Sequence, residues 1–325
     1  GATWWGTATT TCGAPSAPNT LAFTSTSSSG TSVGFTAGSG SIDGYLVIKS
    51  VGAFTGTINN GSSYLVSTVV GNGTVVGNGS STSGYAVSGL TANTTYTFTI
   101  IPYNTTGCVT SPTYNTSSPL SGTVTTCPGA PTVGVGSSVT STGFTANWTA
   151  PTGGSAAAIT YTVEVATDNL FASIVATHSG ISSTSNAFTG LNPATNYYFR
   201  VTANNGCDGP ASAASAAVNT LCTTPNAVTA INFTSTTSSG ATVGFTPGSG
   251  SADGYIVIQS QGVGFSGAIT NGVTYTPNQI ISNGKVVSVG TSTSVGVSGL
   301  SANTKYYYTI YPYNNSGCAS IVYNT

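Results

Sequence analysis

Apolar and polar residues alternate with a period of two along most of this chain. In Tyr197-Tyr198-Phe199-Arg200-Val201-Thr202 the first, third and fifth side chains fall on one face and the others on the opposite face, which is the pattern of a strand with one buried side. Short runs of this kind recur, separated by Gly, Asn, Ser and Thr, and the pairs Asn60-Gly61, Asn72-Gly73, Asn271-Gly272 and Asn283-Gly284 read as hairpin turns. No segment sustains a 3.6-residue period. The pattern predicts an all-β chain of antiparallel sandwiches.

One phrase occurs three times: GLTANTTYTFTIIPYN from Gly89, GLNPATNYYFRVTANN from Gly190 and GLSANTKYYYTIYPYN from Gly299. Such self-similarity divides the chain into units spanning residues 12–126, 127–221 and 222–325, with residues 1–11 left over. Phe35 and Phe245, Asp43 and Asp253, Leu90 and Leu300, and Cys108 and Cys318 each sit 210 residues apart. The first and third units therefore read as the closer pair, with no insertion or deletion between them.

Composition removes several functions. Charged residues make up 3% of the chain and the net charge is −1. Nucleic acids and anionic membranes are thereby excluded as partners, because both are gripped by clustered Lys and Arg. A nearly uncharged surface opposes self-association weakly. No apolar run approaches the roughly 18 residues that would span a bilayer. With Gly at position 1 and no Met, the chain reads as cut from a secretory precursor. The six Cys form two classes: Cys12, Cys127 and Cys222 precede Pro-containing segments, whereas Cys108, Cys207 and Cys318 end Asn-rich turns. That regularity suggests a disulfide framework and an oxidising location.

Together these residues resemble the fibronectin type III family over nearly the whole chain. The middle unit matches best, with Trp148 in FTANWTAP, the run ITYTVEV, and Leu191 followed six residues later by Tyr197 in the manner of the family's tyrosine corner. The outer units keep Leu90 with Tyr96 and Leu300 with Tyr306. They replace the Trp by Phe35 and Phe245, and carry a Gly-rich insertion at residues 72–79 and near Asn283. The low charge and Asn-Thr-Tyr hairpins look most like modules of large secreted bacterial surface proteins. In the sandwich that the resemblance implies, the loop between the sixth and seventh strands lies beside the domain's N-terminus. Cys108 is then expected against Cys12, Cys207 against Cys127 and Cys318 against Cys222; the rival, Cys108 with Cys127, would join a hairpin out of register.

The first unit passes Tyr114-Asn115-Thr116 and then supplies SSPLSGTVTTC as a seventh strand, whereas the third passes Tyr323-Asn324 without one. Its sandwich is expected to lack the last strand. Residues 1–11, GATWWGTATTT, have the length and character of the absent piece. Donor residues Trp4, Trp5, Thr7 and Thr9 are expected to lie along acceptor residues Tyr306, Tyr308, Ile310 and Tyr313, leaving residues 305–313 as an open template otherwise. About six backbone hydrogen bonds at about 1 kcal/mol each, with one buried Trp at about 2–3 kcal/mol, would hold the strand. Donation between copies gives a head-to-tail filament of the protein with itself. The alternative is one period of a covalent array, in a longer adhesin or polysaccharide-acting enzyme.

No catalytic centre is expected. Glu164, Asp168, His178 and Arg200 gather in the middle unit, but Glu164 and Arg200 read as an exposed cross-strand ion pair. A lone His cannot build a zinc site when every Cys is committed. Asp43 and Asp253 read as turn formers rather than calcium ligands. No cofactor or metal is called for. Tyr307 and Tyr311 are candidate stacking faces for surface glycans, and the sequons at Asn60, Asn93, Asn104 and Asn147 carry little weight in so Asn- and Thr-rich a chain.

Overall fold

The computed structural model describes residues 12–154, 156–250 and 252–325. The first sandwich contains β1 (Asn19–Thr24), β2 (Gly30–Thr36), β3 (Gly44–Val51), β4 (Val69–Val70), β5 (Gly73–Gly79), β6 (Tyr85–Ser88), β7 (Thr95–Asn104), β8 (Thr113–Tyr114) and β9 (Leu120–Thr125). The second contains β10 (Thr132–Val133), β11 (Phe144–Thr149), β12 (Thr160–Ala166), β13 (Ile174–Ile181), β14 (Ser185–Phe188), β15 (Asn196–Asn204) and β16 (Val218–Asn219). The third contains β17 (Ala230–Thr234), β18 (Gly240–Thr246), β19 (Gly254–Gln261), β20 (Ile280–Ile281), β21 (Gly284–Gly290), β22 (Ser294–Ser298), β23 (Tyr306–Asn314) and β24 (Val322–Tyr323). In each, a three-stranded sheet (β1-β2-β6, β10-β11-β14 or β17-β18-β22) packs on a larger one centred on β3-β7, β12-β15 or β19-β23. All pairings between these strands are antiparallel, and the described residues form no helix.

Alternation places Phe144, Trp148, Tyr161, Tyr197 and Phe199 in the core of the second sandwich. Phe35 and Phe245 take the Trp148 position in the other two, each edge-on to a tyrosine, Tyr45 or Tyr255, at 4.8 Å. The outer sandwiches depart from a two-layer plan. In β3, Tyr45 and Val47 face the core between the sheets, while Leu46 and Ile48 point the other way and are equally buried. The loop from Gly52 to Thr68 crosses that outer face and lays Ile58 and Tyr64 against Leu46, Ile48, Val75, Ile101 and Tyr114. Four consecutive apolar residues in GYLVI are thus the signature of a strand buried on both sides. The third sandwich repeats this second core with Ile256, Ile258, Ile269, Tyr275, Val286 and Tyr323.

Hydrogen bonds fix the covering loop. The Tyr64 hydroxyl accepts the Asn59 N–H at 3.0 Å, the Asn60 side chain accepts the Tyr114 N–H at 2.8 Å, and the Tyr114 hydroxyl donates to Ser62 O at 3.0 Å. Tyr275, Asn271 and Tyr323 reproduce all three contacts. Burial pushes the Tyr114 and Tyr323 hydroxyls up to about 12. Asn60-Gly61 and Asn271-Gly272 therefore belong to this loop, and only Asn72-Gly73 and Asn283-Gly284 sit in tight hairpins, at β4-β5 and β20-β21. Residues 73–79, expected as part of an insertion, are the regular strand β5 pairing with β3. The equal spacing of the two units also hides a compensated change. β19 follows β3 by 210 residues but β21 follows β5 by 211, so Gly264 is an insertion that is cancelled by a deletion before β22.

Leu46→Ala should cost about 2–5 kcal/mol in urea denaturation, the range for a packed core leucine. A cost near zero would show that the outer layer is not a core.

Candidate functional site

Leaving out β4 and β20, which only extend a hairpin, the sixth strand of each sandwich is β7, β15 or β23; it has an outer edge, and its backbone groups need partners. In the first sandwich β9 supplies them, from Thr95 opposite Thr125 to Ile100 opposite Leu120. In the second, the segment after Cys207 approaches irregularly. The hydroxyls of Ser212 and Ser215 accept the N–H groups of Val201 and Phe199 at 2.9 and 3.0 Å, while the Ser212 and Ser215 N–H groups donate to Val201 O and Phe199 O. Both serines are buried for this reason.

Beyond the edge, each of these two sandwiches closes on one fully buried threonine. The Thr126 hydroxyl accepts the Thr94 N–H at 3.0 Å and donates to Thr91 O at 2.7 Å. Thr220 does the same with the Thr195 N–H and Asn192 O at 3.0 and 2.8 Å. The next residue completes the closure, Cys127 donating to Ser27 O and accepting from the Asn93 N–H, and Leu221 doing so with Thr140 and Ala194. The clasp therefore reads Thr-Cys in the first sandwich and Thr-Leu-Cys in the second. No expectation drawn from the sequence singled out Thr126 or Thr220.

In the third sandwich no described residue takes these positions. Among the described residues no strand pairs with the outer edge of residues 306–310, and a groove of about 590 Å³ runs along it. Phe233, Thr237, Leu300, Ser301, Asn303, Thr304, Tyr306 and Tyr308 line it. Ile231 and Phe233 are 40% and 53% exposed, whereas Leu21 and Phe23 at the same places in the first sandwich are partly covered and pack on its core. Tyr96 and Phe98 are buried; their counterparts Tyr306 and Tyr308 are only half-buried. The Tyr308 hydroxyl is buried without a hydrogen-bond partner among the described residues, and burial raises its pKa. Of the expected acceptors, Tyr306, Tyr308 and Ile310 lie on the open edge. Tyr313 does not: it pairs with Tyr323 in β24 and packs in the outer core, so the edge is shorter than residues 305–313. The expected donors Trp4, Trp5, Thr7 and Thr9 lie outside the described residues.

The remaining expected residues hold the modules together. Cys12 pairs with Cys108, Cys127 with Cys207 and Cys222 with Cys318, at Cα separations of 4.6, 5.4 and 5.3 Å. The hydroxyls of Tyr96, Tyr197 and Tyr306 accept the N–H groups of Thr91, Asn192 and Ser301 at 2.9–3.0 Å, with Leu90 and Leu191 buried beside them. Asp43 is no local turn former. Its carboxylate accepts the Thr105 and Thr106 N–H groups at 2.7 and 2.8 Å and the Thr105 hydroxyl at 3.0 Å, which holds its pKa down at about 2. Asp253 grips Asn315 and Ser316 in the same way. Both thereby fix the loop that carries a half-cystine. Between the first two sandwiches, Asn93 donates to Gly154 O and Ala157 O and accepts from Asn205, which also donates to Thr126 O.

Arg200 Nε donates to Glu164 Oε2 at 2.6 Å, directly across β12 and β15, and the guanidinium lies over Phe171. His178 stacks on Phe188 at 4.4 Å beside Asn186. Asp168 caps its own turn. Among the described residues no three His, Cys, Asp or Glu side chains converge on a metal position, and no helix is long and apolar enough to cross a membrane. Tyr311 is covered by Phe265 and joins the outer core, which removes it as a surface stacking face; Tyr307 stays partly exposed beside Lys305. Sequon residues Asn60, Asn93, Asn104 and Asn147 all spend their side chains on internal hydrogen bonds.

A family model described as the fibronectin type III domain matches residues 16–117, 129–218 and 226–320. No curated protein matches the chain. Among solved structures, the chicken CNTN1 FN1–FN3 domains are 16% identical, with 95% of this chain and 98% of that one covered and a TM-score of 0.31. A two-domain fibronectin type III segment of chicken tenascin is 20% identical, covering 61% of this chain and 97% of that one, with a TM-score of 0.32. A fibronectin type III domain from the human KIAA0970 protein is 21% identical, covering 30% and 76%, with a TM-score of 0.27. Likenesses this distant add nothing to the three matched segments.

Thr126→Val keeps the shape of the clasp and strands two buried backbone groups, so urea denaturation should show a loss of about 1–3 kcal/mol; an unchanged midpoint would deny the clasp. Asp43 titrates at about 2 when folded against 3.8 when unfolded. Its contribution is therefore present above pH 3.8 and disappears as the pH falls through 2. Asp43→Asn should be less stable than the parent at pH 7 and indistinguishable from it below pH 2, by denaturation across that range; a gap that persists at low pH would contradict the assignment.

Proposed function

Because the chain belongs to the fibronectin type III family, we propose that its three tandem modules form a structural subunit of an extracellular or cell-surface filament, completed by strand addition. Three tandem fibronectin type III modules suit a structural or binding role. Three disulfides fit an oxidising location outside the cell.

The open edge of β23 carries the proposal. Among the described residues it combines backbone without a partner strand, half-buried aromatic residues and an unfilled clasp in one groove, which is the arrangement that takes up an extended segment by β-augmentation. Residues 1–11 of a second copy supply a segment of the right kind, with Thr-Thr-Thr before Cys12 as Thr-Thr stands before Cys127. Donor and acceptor lie far apart in the chain, so each addition leaves a new open edge and the contact propagates. The partner is thus the protein itself, and the low charge leaves little repulsion to overcome. Surface glycans are a further candidate partner, and Tyr307 is the aromatic face they would meet.

A second reading has its own observation. Placing Gly1 directly after Thr325 would set Cys318 and the following Cys12 19 residues apart, the spacing of Cys108 and Cys127. The same groove would then be filled within a covalent array of repeats, as spacers of a longer adhesin or polysaccharide-acting enzyme.

Electron microscopy and light scattering of the full chain and of a variant lacking residues 1–11 separate these readings. Filaments from the full chain and monomers from the deletion are expected. Filaments from the deletion would overturn strand donation, and a full chain that stays monomeric at high concentration would favour the array.

A further inference from the structure

The reading of the groove as a strand acceptor leaves the register of the incoming strand open, and two registers have precedent in this chain. If Cys12 follows the clasp residue directly, as Cys127 follows Thr126, Thr11 enters the clasp. If one residue intervenes, as Leu221 does between Thr220 and Cys222, Thr10 enters it. A one-residue slip turns every side chain to the opposite face. The first register presents Trp5, Thr7 and Thr9 to the core, and the second presents Trp4, Gly6 and Ala8.

Tyr308 distinguishes them. At its place in the first sandwich stands Phe98, opposite Gly122. A Cβ at Gly122 would come 2.7 Å from Leu21 Cδ2, and neither partner of that pair has a polar side chain. The third sandwich has instead a tyrosine whose hydroxyl is buried and without a partner among the described residues, its ring 5.6 Å from that of Phe233, which stands open. A buried hydroxyl left unpaired is costly, and directly opposed residues of an antiparallel pair share a face. The first register sets Thr7 opposite Tyr308 and provides a hydroxyl; the second sets Gly6 there and provides none.

Resting on the strand-addition reading, we infer that the donor strand enters with Thr7 opposite Tyr308, Trp5 opposite Ile310 and Thr11 in the vacant clasp between Ser301 O and the Thr304 N–H, and that Tyr308 selects this strand over one built like β9. Tyr308 is then a specificity residue: a β9-type strand, with glycine at this position, would leave its hydroxyl unpaired.

Cysteine trapping tests the register on the full chain, whose six native cysteines are all paired. Gly6→Cys protein is mixed with Tyr308→Cys, Thr309→Cys or Ile310→Cys protein under mild oxidation. In the inferred register Gly6 opposes Thr309 in a non-hydrogen-bonded pair, where Cα atoms approach closely enough for a disulfide. A crosslinked dimer confined to Thr309→Cys is expected. Crosslinking at Tyr308→Cys instead would establish the slipped register and overturn the inference while leaving strand addition intact. No crosslink at any of the three would overturn strand addition itself. As an independent readout, Thr7→Val should raise the critical concentration for assembly by about tenfold in the parent and by less than threefold in Tyr308→Phe, a substitution to the residue that the first sandwich already carries. Equal effects in the two backgrounds would show that the hydroxyl pair does not exist.

Discussion

Backbone groups on the outer edge of the sixth strand cannot be left dry and unpaired, and the three sandwiches meet this demand in three ways. The first uses a regular strand, the second borrows serine hydroxyls, and the third presents its edge to a groove. The threonine clasp belongs to the same demand, because the turn between the fifth and sixth strands has an N–H and a C=O that only the incoming segment reaches. Filling one edge orders two sets of backbone groups together.

That framework survives without charge because it is stapled and doubly packed. Each outer module buries its central sheet on both faces, and each disulfide ties the approach to the first strand to the loop after the sixth, a loop that Asp43 or Asp253 already grips in the outer modules. The entry path of the chain is thus fixed close to where the sandwich begins. Under the proposed strand addition, a module held in this way would take up the strand with little reorganisation.

Much of this was legible in the sequence. Alternation identified the strands, the thrice-repeated phrase identified the modules, and the leucine-to-tyrosine spacing located the corners that Tyr96, Tyr197 and Tyr306 form. The outer core was not read, although GYLVI announced a strand buried on both sides; the covering loop has no periodicity, so what lay on that face stayed hidden. From the sequence alone Asp43 reads as a turn former, because its partners, Thr105 and Thr106, are more than sixty residues away. Thr126 and Thr220 were lost among many threonines, since only the fold shows which hydroxyl meets two backbone groups. The places of Tyr311 and Tyr313 are hidden for the same reason, because both are covered by segments outside their own strand.

Hydrogen exchange at single-residue resolution tests the open edge most directly. The amides of Tyr308 and Ile310 correspond to those of Phe98 and Ile100, which lie in the ladder with β9. At dilution Tyr308 and Ile310 should exchange far faster than Phe98 and Ile100, and should become equally protected once the protein assembles. Protection of all four amides that is equal and independent of concentration would mean that the third module is already closed, and would contradict the account.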